Sequence, residues 1–338
     1  MKLLISFIFF ISFAVMNFIS SERGTSAQSL NQIKKGNQNY KELGRVNWSR
    51  SYSEALARSK ETNKPVLILF QEVPGCATCV GYGEQVLSHP LLVEAIESLF
   101  IPVAILNNRG GEDAKILKKF NEPAWNNPIV RIINANENEL SPRVAGDYSL
   151  SGILSSMTNA LKKNGDDIPV YLKLLKEEYS ARESGTETAV FAMGCFWTGE
   201  AVLGSINGVI ETEPGYIDGY EVVKVEFDPK VISYERLHYL ADKQRCTLKT
   251  FSGRDIRRDN VPKYYLSHSN VKYIPMTSIQ ACRINSSIVN GKDYKVFLSP
   301  EQIKILDYIN NNPQKGWENF ISSNNLKEDW DNTISKLN

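Results

Sequence analysis

The chain has 338 residues, 42% of them hydrophobic and 23% charged, which is the make-up of an ordinary soluble chain with room for two domains. Its formal net charge of +1 gives no footprint for nucleic acid or for an anionic surface beyond the N-terminal segment. Five cysteines are an odd count, so at least one thiol stays free, and a chain this long does not need disulfide staples.

Lys2 precedes a run from Leu3 to Ile19 that is apolar apart from Ser6, Ser12 and Asn17. Residues 1–21 read as a signal peptide, or as a membrane anchor if uncleaved. The mature chain is therefore expected to be periplasmic or secreted. No later run is long and apolar enough to span a bilayer. Residues 28–50 read as a polar, solvated lead-in.

A helix is predicted from Tyr52 to Lys60, and the continuous apolar run Val66 to Phe70 suits a strand covered on both faces. Glu72-Val73-Pro74-Gly75-Cys76-Ala77-Thr78-Cys79 follows, with a helix starting near Cys76. Ser88 is the expected cap, with Pro90 early, of a second segment reaching Phe100. Strands are predicted at 101–106 and 129–133, the latter after Asn127-Pro128, and a helix near 150–163. A helix N-terminus favours the thiolate of Cys76, and two intervening residues bring Cys79 within bonding range. Half of a zinc knuckle is the other reading of a C-x-x-C, but the chain has no second pair. The three histidines (His89, His238, His268) have no ligand spacing, so neither a metal nor another cofactor is expected.

This order of elements resembles the thioredoxin fold over roughly residues 45–165. The resemblance implies that Cys76 attacks, Cys79 resolves, and Pro128 is the cis-proline facing the disulfide. Val73-Pro74-Gly75 replaces the usual Trp before the first cysteine, and Ala77-Thr78 the usual Gly-Pro. Residues 166–187 read as a linker with an amphipathic helix (Tyr171–Ser180) and a flexible Ser184-Gly185-Thr186.

The second half turns on Gly194-Cys195-Phe196-Trp197-Thr198-Gly199-Glu200, set between a strand-like run (188–193) and a helix-like run (201–206). A cysteine at such a turn lies over the first helical amides, which favours thiolate. On its own the stretch reads first as a structural cysteine buried in an apolar turn. In the strand 220–228, period-two alternation puts Glu221 on one face with Val223, Val225 and Phe227, where desolvation favours a protonated carboxyl. Tyr220, Val222 and Lys224 take the other face. The run GCFWTGEAVLGSINGVIETEPGY resembles the active-site stretch of type A peptide methionine sulfoxide reductases, most clearly over residues 188–240 and weakly again at 260–267.

That resemblance implies a ferredoxin-type α/β sandwich over 188–338 with a C-terminal helical extension, making the whole chain α/β (α+β). It implies Cys195 as nucleophile, Phe196 and Trp197 as the methyl pocket, and Glu221 as the acid. Tyr216 and Tyr265 are candidate phenol donors, with Tyr220 or Tyr264 standing in for a donor lost from the compressed 216–221 loop. Asn260 stands where the family has an Asp. Cys246, or alternatively Cys282, would resolve the Cys195 sulfenic acid. The function so implied is reduction of methionine S-sulfoxide in peptides or proteins, with the in-chain dithiol or another thiol-disulfide donor as reductant. The rival reading is a thiol-disulfide oxidoreductase whose second half binds substrate or is inactive. Ser299-Pro300-Glu301-Gln302 reads as a capping box for a helix facing inward with Ile303, Leu306 and Ile309. Trp317, Phe320 and Trp330 read as packing anchors.

Overall fold

The computed structural model describes residues 40–125, 127–243, 248–251, 253–321, 323 and 325–337. The expected signal segment and Cys246 lie outside the described residues. No helix among the described residues is long and apolar enough to cross a membrane.

The first unit runs α1 (Tyr52–Thr62), β1 (Val66–Gln71), α2 (Ala77–Gly81), α3 (Pro90–Leu99), β2 (Ile101–Leu106), α4 (Glu112–Lys119), β3 (Ile129–Ile133), β4 (Val144–Ala145) and α5 (Leu150–Asn164). Its sheet has the order β2-β1-β3-β4, with β1 parallel to β2 and antiparallel to β3. All six β1 residues are buried. Leu67 and Leu69 enter one apolar cluster, and Val66, Ile68 and Phe70 another, so the unbroken apolar run serves both faces.

Two expectations are corrected here. Leu43, Val46 and Trp48 are buried in the core, so the 40–50 stretch is packed rather than solvated. The N-cap of α3 is His89, not Ser88. The residue before a proline is pushed to extended backbone, which is cap geometry, and His89 adopts it (φ −70°, ψ 122°). Ser88 Oγ instead donates to the Gly83 carbonyl.

The linking stretch is one helix, α6 (Val170–Ser184), whose Tyr171, Leu172, Leu174 and Leu175 are buried. The second unit comprises β5 (Glu187–Ala192), α7 (Phe196–Gly204), β6 (Val209–Ile217), β7 (Tyr220–Phe227), α8 (Tyr234–Lys243), β8 (Lys249–Phe251), β9 (Arg257–Arg258), α9 (Tyr264–Ser267), α10 (Ser278–Val289), α11 (Pro300–Asn311) and α12 (Leu326–Leu337). Its antiparallel sheet has the order β8-β5-β7-β6-β9. Helices α7 and α8 pack on one face against Phe191, Val223, Val225 and Phe227. The β6–β7 turn is Asp218-Gly219 with φ of 50° and 83°, the double left-handed pair that closes a two-residue hairpin. It is this tight turn that the compressed 216–221 sequence encodes.

Helix α11 starts at the expected capping box, Ser299 with Gln302, but buries Ile305 alongside Leu306 and Ile309, leaving Ile303 half-buried. One apolar cluster joins these residues and Trp330 and Ile334 of α12 to Leu91, Leu92, Ala95 and Ile96 of α3. Across the same seam the Glu94 carboxylate accepts the Glu301 amide (2.9 Å), and Arg45 pairs with Asp331 through both its terminal nitrogens.

Two groups on α3 couple this seam to pH in opposite senses. Burial pushes Glu94 up from 4.5 to about 7. Burial also pushes His89, whose ring nitrogens have no partner among the described residues, down from 6.5 to about 4. Glu94 thus contributes stability that is present at low pH and lost as pH rises from 4.5 towards 7. His89 contributes stability present above 6.5 and lost as pH falls towards 4. Between pH 4.5 and 6.5 the two slopes oppose. Relative to wild type, Glu94→Gln should gain stability with rising pH across that window and His89→Leu should lose it, each by on the order of 2–3 kcal/mol. Urea melts at three pH values read this directly, and parallel profiles for all three proteins would contradict it.

Candidate functional site

Cys195 is the N-cap of α7, extended (φ −150°), exposed, and its carbonyl accepts the Gly199 amide at 3.0 Å. The helix therefore begins at Phe196, earlier than the apolar run from Ala201 predicts. Gly199 lets α7 lie close on the sheet: a Cβ there would stand 2.8 Å from Met193 Cγ and 3.2 Å from Val223 Cγ2. Glu221 lies on the α7 side of β7 with Val223 and Val225, and its Oε2 accepts the Phe196 amide at 2.8 Å. The carboxylate is thus hydrogen-bonded to the residue next to Cys195.

Aromatic rings wall the site. Phe196 contacts Trp197 (centroids 5.6 Å) and Tyr216 (5.3 Å), and Trp197 stacks on Tyr264 at 4.0 Å. The Tyr265 hydroxyl lies 3.5 Å from Thr198 Oγ1, on the first turn of α7. Trp197 Nε1 is buried without a hydrogen-bond partner among the described residues. The structure thus gathers Cys195, Phe196, Trp197, Tyr216, Glu221, Tyr264 and Tyr265. Tyr220 is not among them. It is 43% exposed on the opposite face of the sheet, against Phe251 (6.0 Å) and under Lys249, because neighbours in a strand point to opposite sides. Asn260 is exposed, in a turn where Asp259 Oδ2 accepts the Val261 amide.

A buried ion pair, unforeseen from the sequence, holds the wall in place. Glu200 on α7 accepts the Lys263 amide (2.7 Å), its other oxygen lies 3.3 Å from Lys263 Nζ, and both residues are buried. Lys263 also donates to the Thr212 carbonyl and takes a left-handed backbone (φ 52°, ψ 56°). Burial works against its charge, but the Glu200 carboxylate holds the ammonium above the ordinary lysine range. The residue after Lys263 is Tyr264, so the pair fixes the stack on Trp197.

Cys282 lies inside α10, fully buried, with burial pushing its thiol up. It packs at the far end of α7, where a Cβ on Gly204 would come 3.2 Å from its own Cβ. That places it roughly 13 Å along α7 from Cys195, too far to bond without rearrangement.

The second thiol centre is complete. Cys76 is the exposed N-cap of α2 and its Sγ is 3.5 Å from that of buried Cys79. The Cys79 amide and thiol hold Cys76 below the ordinary thiol range, while burial pushes Cys79 up to about 11. Cys79 Sγ donates to Asn127 Oδ1 (2.6 Å), and the following Asn127–Pro128 bond is cis. Glu72 brings a carboxylate oxygen within 4.8 Å of both sulfurs. Glu42, from the stretch expected to be solvated, is buried and accepts the Gly75 amide (2.7 Å), steadying the loop before Cys76. An exposed thiol of lowered pKa beside a buried partner of raised pKa is the arrangement of a dithiol–disulfide couple.

A family model described as thioredoxin-like matches residues 47–135, and one described as peptide methionine sulfoxide reductase matches residues 187–220. The chain thus joins a thioredoxin-like α/β unit to a methionine sulfoxide reductase-like segment that carries the Cys195 turn. Among known proteins it is similar to peptide methionine sulfoxide reductase MsrA of Methanococcus maripaludis, with 42% identity over 16% of this chain and 45% of that protein. It is also similar to peptide methionine sulfoxide reductase A5 of Oryza sativa, with 44% identity over 17% of this chain and 28% of the relative. MsrA of Serratia proteamaculans shares 37% identity over 23% and 46%. The chain therefore spans less than half the length of each of these relatives. A solved structure titled DsbH Oxidoreductase aligns over 35% of this chain and 85% of its own, at 21% identity and a TM-score of 0.30.

Proposed function

We propose that the chain is an exported reductase of methionine S-sulfoxide, acting in the periplasm or as a secreted or anchored protein, with its own dithiol as electron donor. The observation that supports it most is the Glu221 carboxylate bonded to the amide beside Cys195, under a wall of Phe196, Trp197 and Tyr264. A sulfoxide sulfur becomes electrophilic when its oxygen is protonated or hydrogen-bonded. Glu221 supplies that proton, with the Tyr216 and Tyr265 hydroxyls as further donors. The Cys195 thiolate attacks sulfur, and the oxygen passes to the thiol as methionine leaves, giving Cys195 sulfenic acid. A second thiol condenses with it, releasing water and forming a disulfide. Cys76 and Cys79 then reduce that disulfide and become the disulfide themselves. Cys246 is the favoured resolving thiol, because nearby Leu248 donates its amide to the Ala192 carbonyl (2.8 Å), three residues before Cys195, whereas Cys282 is buried at the other end of α7.

The test is stoichiometric. Reduced, desalted protein mixed with a peptide carrying methionine S-sulfoxide should yield up to two equivalents of methionine, one for each dithiol consumed. Mass spectrometry should then find Cys195 in a disulfide or Cys76 joined to Cys79. Absence of methionine, with thiols unchanged, would overturn the proposal. The completeness of the Cys76–Cys79 centre favours a second reading, a thiol-disulfide oxidoreductase independent of Cys195. Reduction of insulin disulfides that survives loss of Cys195 would support it.

A further inference from the structure

Three arginines enter the edge of the second sheet, and they are not alike. Arg254 pairs with Asp218 (2.5 Å) and Arg258 pairs with Glu213. Arg257, between them, has no carboxylate partner among the described residues. Its guanidinium lies over the Tyr216 ring, 4.5 Å from the centroid.

The register explains why. Tyr216 is paired with Glu221 on β7 and with Arg257 on β9, and directly paired residues of antiparallel strands project to the same face. Glu221, Tyr216 and Arg257 therefore form one row across the sheet on the side of Cys195 and Phe196. Arg258, one residue on, faces away with Glu213. Two strand spacings separate the ends of the row, about 10 Å. Four single bonds lie between the sulfoxide sulfur of methionine sulfoxide and its α-carboxyl carbon. A substrate with sulfur over Cys195 and oxygen at Glu221 can thus lay its backbone across Tyr216 and present a carboxylate to a guanidinium fork suited to bidentate binding. No other cation of the described residues stands in that row.

We propose that Arg257 is a specificity-determining residue that binds the free α-carboxylate of the substrate, so that the site prefers methionine S-sulfoxide as the free amino acid or as a C-terminal residue over the same residue inside a chain. This rests on the sulfoxide reductase reading and names its substrate class. The Arg257–carboxylate pair is worth about 10- to 100-fold in affinity.

Calorimetric titration of the full-length Cys195→Ser protein, which cannot turn over, tests it. The probes are L-methionine S-sulfoxide, its carboxamide, and a glycyl dipeptide of the same residue with a free or an amidated C-terminus. Acids should bind about 10- to 100-fold more tightly than their amides. With Arg257→Ala added, the acid-to-amide ratio should fall to about 1, and Arg257→Lys should restore part of it. The dipeptide arms separate a free amino acid from a C-terminal residue as the preferred source. An acid-to-amide ratio near 1 before Arg257 is changed, or a ratio that Arg257→Ala leaves in place, overturns the assignment. Turnover of the Cys195-intact protein with dithiothreitol is run in parallel. Normal turnover with no acid preference sinks this inference alone. An Arg257-dependent preference without turnover of any sulfoxide sinks the reductase reading and leaves Arg257 as part of a carboxylate-binding site.

Discussion

Replacing Cys195 by Ser should lower methionine formation from the sulfoxide by at least about 1,000-fold, since a hydroxyl neither attacks a sulfoxide sulfur nor accepts its oxygen as a sulfenic acid. The fold should be unaffected, because Cys195 is exposed and contributes to α7 through its carbonyl rather than its side chain. Cys76→Ser should behave differently. With dithiothreitol supplied, its turnover should continue at a reduced rate, because the small thiol replaces the dithiol of the first unit. The pair of variants is read by chromatography of the methionine product with and without dithiothreitol. Loss in Cys76→Ser together with normal turnover in Cys195→Ser under dithiothreitol would mean that Cys76, not Cys195, meets the sulfoxide.

Glu221→Gln should cost about 10²- to 10⁴-fold in the single-turnover rate at neutral pH, the usual range for a positioned general acid. The amide oxygen of glutamine can still accept the Phe196 amide, so the geometry at the start of α7 is kept while the proton is lost. The loss should fall on the chemical step rather than on substrate affinity, which separates an acid from a residue that merely shapes the pocket. Rapid-quench rates at saturating and sub-saturating substrate check this, and an unchanged rate would remove Glu221 from the chemistry.

Much of this arrangement is local and can be read in the sequence. The apolar run 66–70 is buried on both sides, and the alternation in 220–228 places Glu221 with Val223 and Val225 on the face that carries α7 and Cys195. The cysteines at 76 and 195 each cap a helix. What escaped the sequence depends on pairs that local pattern does not relate. Glu200 and Lys263 are 63 positions apart, and a lysine in a charged, turn-rich stretch reads as solvated. Arg257 gains meaning only from the long-range β6–β9 register, which pairs it with Tyr216, and from the Asp218-Gly219 hairpin, which pairs Tyr216 with Glu221. Leu43, Val46 and Trp48 are too sparse in a polar stretch to show a period, yet each is buried. Tyr220 failed for the opposite reason: its parity was plain in the strand, and it excluded the residue from the Glu221 face.

The apolar seam between α3 and the pair α11 and α12 also sets how electrons can travel. A swinging-arm design needs two bodies that separate and re-dock about a hinge, and the 185–186 link between α6 and β5 would be the place for one. Here the faces that would have to part share one core, from Leu91 and Ile96 to Leu306 and Trp330. Parting them would expose apolar surface at about 25 cal/mol per Å², which opposes a separation of the two thiol centres. In the proposed cycle, reducing equivalents would then have to be carried between them by a short thiol-bearing segment or by a second molecule.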